Sequence, residues 1–226
     1  VNLSAAYDFL NFWINKVQGG YYSPPELDNI VDGAQMAIFN ELRSEYATSQ
    51  RIHDALAPFI ATYNFTPSNT LSGYIIVPST PEYLGLIDIQ VSFGVSNRTV
   101  YAGVPILGKD ERANRLNSQL NPVTVTSPVA EVTAPRYFRI YPISGYTGTV
   151  TYFRRPVAPV YGYSIVSGRV VVYNANTSTQ LEWGQEWVTP ILLKALSSIG
   201  INLRDAEVQQ YAEMKNQNNF LNQNNT

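Results

Sequence analysis

The sequence predicts an α+β fold in which N- and C-terminal helices form one bundle, with an antiparallel β-sandwich or barrel-like domain inserted between them. Three observations carry this expectation. Both ends of the chain place apolar residues at three- and four-residue spacing behind helix-start signals. The middle switches to apolar–polar alternation punctuated by turn residues. The charge switches with it: residues 61–177 hold nine Lys/Arg and five Asp/Glu, a balance of +4, whereas 1–60 and 178–226 together hold six and twelve, a balance of −6. The expected division is a helical domain of residues 1–60 plus 178–215, an inserted β-domain of 61–177, and an Asn/Gln-rich tail of 216–226.

Residues 3–18 read as the first helix. Tyr7, Leu10, Ile14 and Val17 mark one face, and Phe9, Phe12 and Trp13 add apolar surface elsewhere. A helix that is apolar nearly all round is buried or packed against a partner. Gly19-Gly20 ends it. The second helix has the clearest start in the chain. Ser23-Pro24-Pro25-Glu26 combines a hydroxyl cap, a proline start and a Glu three residues on. Leu27, Ile30, Val31, Ala34, Ile38 and Leu42 then follow one face. Ser49–Ala57 forms a third, short helix stopped by Pro58.

From Ala61 the pattern is that of strands. Leu71–Val77 is strand-like. In Leu86–Phe93, Ile87, Ile89, Val91 and Phe93 alternate with Asp88, Gln90 and Ser92, which predicts a sheet with one wet face. Leu107–Leu120 is polar and reads as a short surface helix or a long loop. Asn121–Pro135, rich in Pro, Thr and Val, reads as extended. Tyr137–Tyr141 and Thr149–Phe153 are expected to pair as a hairpin around Ser144–Gly148. Tyr161–Val166 and Arg169–Tyr173 are expected to pair around Ser167-Gly168.

Helices resume at Thr179-Gln180-Leu181-Glu182, which reads as a second capping box. Trp183, Trp187, Ile191 and Ala195 share a face, Pro190 is expected to kink the helix or delay its regular start, and Gly200 ends it. Asp205–Lys215 is expected to be one further helix. The tail that follows has too few apolar residues to fold alone; it reads as a loose terminus or, alternatively, as an arm that orders on a neighbouring molecule with Phe220-Leu221 as its anchor.

Few kinds of catalytic chemistry find support. The chain has no Cys and one His, His53, which leaves little scope for a zinc site or a nucleophile–His pair. His53 and Asp54 are adjacent, and adjacent residues on a helix do not face each other. The pairs Glu41/Glu45 and Glu182/Glu186 have the spacing of a solvated helix face. No phosphate-binding glycine loop and no calcium loop occurs. No enzyme activity, cofactor or metal is therefore expected. No apolar run reaches the ~18–20 residues of a membrane span. The first residues, interrupted by Asp8, Asn11 and Asn15, do not read as a secretory signal, so folding in a cytoplasm is the expectation. Arg136, Arg139, Arg154, Arg155 and Arg169, interleaved with Tyr137, Tyr141 and Tyr152, are candidates for a basic aromatic contact face. Strand alternation would set Arg154 and Arg155 on opposite sides.

Four stretches, in order along nearly the whole chain, carry a resemblance. They are Gly19-Gly20-Tyr21-Tyr22-Ser23-Pro24-Pro25-Glu26-Leu27 with Ala34-Gln35 and Phe39-Asn40-Glu41-Leu42; Leu116–Pro122 leading toward Arg136–Pro142; Val150-Thr151-Tyr152-Phe153-Arg154-Arg155-Pro156; and Gln180-Leu181-Glu182-Trp183 with Ile199-Gly200-Ile201-Asn202-Leu203. Together they resemble the head–tail connector ring and adaptor proteins of tailed bacteriophages, and look closest to ring proteins of short-tailed, crAss-like phages. The resemblance implies a virion structural protein made in the host bacterial cytoplasm. It implies a homo-oligomeric ring of about twelve copies below the portal, touching the portal protein and other neck and tail rings. DNA would pass through its channel without sequence-specific binding, and no membrane would be involved. Arg136, Arg139, Arg154, Arg155, Phe220 and Leu221 are the candidate subunit-contact residues. The competing expectation is a β-sandwich module of a phage tail that binds a glycan or receptor. The four-residue spacing of Trp183 and Trp187 favours a helical core over a sugar platform.

Overall fold

The computed structural model describes residues 3–17, 20–66, 73–95, 98–166 and 170–201. In chain order the elements are α1 (Leu3–Lys16), α2 (Pro24–Ser44), α3 (Gln50–Leu56), β1 (Ile60–Phe65), β2 (Tyr74–Ile76), β3 (Tyr83–Val95), β4 (Arg98–Gly103), α4 (Lys109–Leu116), β5 (Val129–Ala134), β6 (Tyr137–Tyr141), β7 (Thr147–Arg154), β8 (Tyr163–Val166), β9 (Val170–Tyr173) and α5 (Gln185–Ser198). The fold is mixed α+β, and these strands pair antiparallel throughout. Among the described residues no helix is long and apolar enough to cross a membrane. Gly19, the Ser167-Gly168 turn, Arg169, the expected helix 205–215 and the tail with Phe220 and Leu221 lie outside the described residues.

The chain divides into two units, Val1–Pro58 with Pro156–Thr226, and Phe59–Arg155. The boundaries thus fall earlier than the expected 60/61 and 177/178, and the β8–β9 hairpin belongs with the helices. The reason is local bonding. Among the described residues β8 and β9 pair only with each other. Their flanks are tied to the helical unit: Tyr161 N–H donates to Asp28 Oδ1 (2.9 Å), Val157 N–H to Glu182 Oε2 (2.9 Å), and Gln35 Nε2 to Val157 O (3.1 Å).

In the helical unit, α1 buries Leu3, Ala6, Tyr7, Phe9, Leu10, Trp13 and Ile14 on more than one side, as its all-round apolar pattern requires. Val17, expected on that face, lies past the last helical residue and is half exposed. α2 starts as its sequence dictates. The Glu26 carboxylate accepts from both the hydroxyl and the N–H of Ser23, at 2.7 Å each. These two bonds, the hydroxyl first, hold the Glu26 carboxyl below its usual range. Leu27, Val31, Ala34, Ile38 and Leu42 are buried on the expected face.

α5 packs against both α1 and α2, through Val188, Ile191, Leu192, Ala195 and Leu196. It begins at Gln185, not at the expected Thr179. The segment that would have opened an earlier start is held by tertiary partners instead: the Thr179 backbone bridges Val160, Gln180 Oε1 accepts from Leu3 N–H (2.7 Å), and the Glu182 carboxylate takes Val157 N–H. Glu182 and Glu186 therefore do not share a helix. The C-terminal end closes on Gly200, whose φ of 85° suits glycine. Gly200 N–H donates to Ser197 O and Ile201 N–H to Leu196 O, the paired bonds of a Schellman stop.

The second unit holds a four-stranded sheet of order β1-β7-β3-β4 and a three-stranded sheet of order β2-β6-β5. One core cluster draws on both: Phe65, Ile89, Val91 and Val150 from the first sheet, and Ile75, Ala130, Phe138 and Ile140 from the second. The expected hairpin of Tyr137–Tyr141 with Thr149–Phe153 does not form. β6 pairs with β5 and β2, and β7 pairs with β1 and β3. Chain proximity favours a hairpin, but each strand finds its apolar partners in a different sheet. The alternation in β3 is also broken. A bulge between Leu86 and Asp88 leaves Ile87 without a register partner, so Leu86, not Ile87, packs on the core. α4 buries no residue, so of the two alternatives for 107–120, surface helix or long loop, the helix forms over Lys109–Leu116.

Candidate functional site

Among the described residues, the basic aromatic residues singled out in the sequence are divided between two sheets. Arg139 stands on the outer side of β6, opposite Tyr74 on β2 and Glu131 on β5. Its guanidinium lies 5.1 Å from the ring centres of both Tyr74 and Tyr141, each contact contributing about 0.5–1 kcal/mol where exposed. Beside it Arg112, from α4, pairs with Glu131. The Tyr141 hydroxyl donates to the other Glu131 oxygen at 2.9 Å. Burial first, and Glu131 second, push the Tyr141 hydroxyl up from its ordinary value. Arg112 is a member of this cluster that sequence reading missed, because its partner is nineteen residues away on another element. Arg136 sits in the β5–β6 turn at φ 68° and donates to Val77 O at 3.0 Å.

Arg154 and Arg155 belong to the other sheet. Arg154 ends β7 and lies 5.8 Å from the ring centre of Phe59. Arg155 follows the strand and pairs with Glu82 at 3.6 Å, with both side chains well exposed, a contact of little energetic weight. Tyr152 faces the core at 2 % exposure and takes no part in a surface.

A different surface stands out in the helical unit. Both strands of the β8–β9 ribbon are open to solvent. Ile165 is 61 % exposed, and Val166, Val171 and Val172 exceed 40 %. Register sets Tyr163, Ile165, Val171 and Tyr173 on one face. A lone two-stranded ribbon is marginal in water, and an exposed apolar strand edge is a template for another chain. The ribbon carries valines and isoleucine where a solvated hairpin would carry polar residues.

At the ribbon's base lies a tyrosine–carboxylate network. Tyr7 and Tyr161 stack at 4.5 Å, and Tyr161 meets Tyr173 at 5.0 Å. The Tyr7 hydroxyl donates to Asp28, which also takes Tyr161 N–H. Burial, then Asp28, push the Tyr7 hydroxyl far above its ordinary value. Burial raises the Asp28 carboxyl too, opposed by these two donors. Tyr7→Phe removes one donor and lets that carboxyl rise further. The variant's deficit is then greatest near neutral pH and shrinks as pH falls through the Asp28 value, which lies above the ordinary ~3.9. With Asp28 partly exposed, about 1 kcal/mol is expected at pH 7. Urea midpoints at pH 7 and near pH 4 check this; a deficit that does not change with pH would mean the hydroxyl faces no charged carboxylate.

Among the described residues no three His, Cys, Asp or Glu side chains gather as a metal site. His53 stacks on Tyr46 at 4.1 Å. Trp183 is buried and donates through Nε1 to Gln35 Oε1 at 3.1 Å. No protein-family model matches the chain, and no curated protein matches it.

Proposed function

We propose that the chain is a non-enzymatic structural protein of a bacteriophage virion, a subunit of a ring in the head–tail connector that joins portal to tail and continues the DNA channel. In this reading the N- and C-terminal helices act as one bundle, and the two sheets of the inserted unit pack face to face as a sandwich. The observation that carries it is the exposed apolar ribbon of β8 and β9. A ring repeats one heterologous contact, so each subunit needs two different matching patches. The ribbon supplies one apolar patch. The unequal charge of the two units supplies a means of matching: −5 for Val1–Pro58 with Pro156–Thr226, and +3 for Phe59–Arg155. The four stretches that resemble connector proteins support the same assignment. The competing sugar-binding reading loses its most attractive platform, since Trp183 is only 3 % exposed.

The test is the native mass of the purified chain across a concentration series, by light scattering. A closed oligomer of about twelve copies is expected. Ile165→Glu would place an unpaired charge in the contact and weaken association at least about a hundredfold. A chain that stays monomeric at every concentration, alone and with portal protein, would refute the ring.

A further inference from the structure

The helical unit holds a cleft of ≈ 490 Å³ whose lining includes Asp8, Asn11, Asn15, Tyr21, Tyr161 and Val171. Asp8, Asn11 and Asn15 follow one another at three- and four-residue spacing, so they form a polar stripe along α1, and all three are exposed. The lining contains no Lys or Arg among the described residues. The Asp28 carboxylate stands behind it, held by Tyr7 and Tyr161. Among the described residues that line it, the cleft presents a carboxylate beside aromatic rings.

Ring geometry decides between a sugar and a cation. A sugar platform needs open ring faces. Tyr7 is 2 % exposed and stacked on Tyr161, whose other neighbour is Tyr173. Tyr21, 82 % exposed, offers a free face. An exposed ring lining the same cleft as a carboxylate and two side-chain amides suits a guanidinium: the ring takes its face, and the oxygens take its N–H donors.

Position indicates where the guanidinium comes from. Val171 lines the cleft and is also an exposed residue of β9, so cleft and ribbon are one continuous surface. Four-residue strands span only about 13 Å, too little for the ~800 Å² per partner of a stable contact. The cleft extends that contact. The inserted unit has the opposite charge, and seven of its eight basic residues are arginine.

We propose, resting on the ring reading, that this cleft receives an arginine side chain from the inserted β unit of a neighbouring copy. Asp8 pairs with the guanidinium, Tyr21 lies against its face, and the carbonyl oxygens of Asn11 and Asn15 accept from it.

Two measurements test this. In the first, the association of the wild-type chain is compared with that of Asp8→Asn, an isosteric change at an exposed position; about tenfold weaker association is expected. In the second, N-acetyl-arginine amide and its neutral citrulline isostere are titrated into Ile165→Glu, with and without Asp8→Asn, reading the Asn11 and Asn15 side-chain amides by NMR. The arginine probe is expected to shift them, the citrulline probe not, and the Asp8→Asn background to abolish the response. A ring that forms equally well with Asp8→Asn overturns the proposal and leaves the ring standing. A chain that is monomeric under all conditions yet binds the arginine probe overturns the ring, and with it the neighbouring copy as the source. Equal responses to arginine and citrulline, or a response to a panel of oligosaccharides in their place, overturn the cation chemistry itself.

Discussion

Trp183→Ala is expected to lower the stability of the helical unit by about 3–5 kcal/mol, the range for deleting a buried aromatic side chain. Trp183 is 3 % exposed, and its Nε1 donates to Gln35 Oε1 inside the unit. Gln35 is fully buried and uses its amide nitrogen on Asp32 Oδ1 (2.8 Å) and Val157 O (3.1 Å). Removing the indole thus opens a cavity and also orphans a buried acceptor on α2. Trp183→Phe separates the two effects, because it keeps most of the volume and loses only the donor. Its expected deficit is about 1–3 kcal/mol. Urea unfolding followed by tryptophan-independent circular dichroism checks both variants. A loss below about 1 kcal/mol for the alanine variant would show that this residue does not tie the segment before α5 to α2.

Gly148→Ala is expected to cost the inserted unit about 3 kcal/mol or more, the upper end for overpacking. Gly148 lies in β7 and pairs with Phe65 on β1 and Val91 on β3. A Cβ there would stand 2.0 Å from the Gln90 carbonyl oxygen and 2.6 Å from Phe65 Cζ. The first neighbour is backbone and cannot rotate away, so the β7–β3 approach itself must widen. Gly103→Ala on β4 is the internal control. A Cβ there meets nothing within 4 Å, and a change of about 0.5–1 kcal/mol or less is expected. Amide exchange along β1, β3 and β7, together with the denaturant midpoint, distinguishes the two variants. Equal stabilities would mean that Gly148 is tolerant of a side chain and that the sheet is looser at this point than its geometry indicates.

The parts legible in the sequence are those written by short-range chemistry. Ser23 and Glu26 are three residues apart, and their reciprocal bonds follow from that spacing alone. The apolar face of α2 and the β8–β9 pairing are equally local. The misread parts share a cause. Thr179–Glu182 has the letters of a helix start, but contacts with Val160, Leu3 and Val157 hold that segment out of the helix. Tyr137–Tyr141 and Thr149–Phe153 have the letters of a hairpin, but each joins a different sheet. The candidate contact residues divide in the same way. Arg139 shows its aromatic surroundings only once β2, β5 and β6 are side by side. The exposed ribbon passed unnoticed as a surface because Ile165 and Val171 look like ordinary strand residues until one asks what covers them.

Sequence by itself determined the helix–strand–helix order, the start of α2, the glycine stop after α5 and the separation of charge along the chain. All of these depend on residues within a few positions of each other or on simple sums. Tertiary structure decided which strands pair, where β3 bulges, where α5 begins, and which apolar side chains stay in the open. Those outcomes turn on competition between partners distant in the chain, where a buried polar group or a core face takes the best available neighbour, whatever its place in sequence.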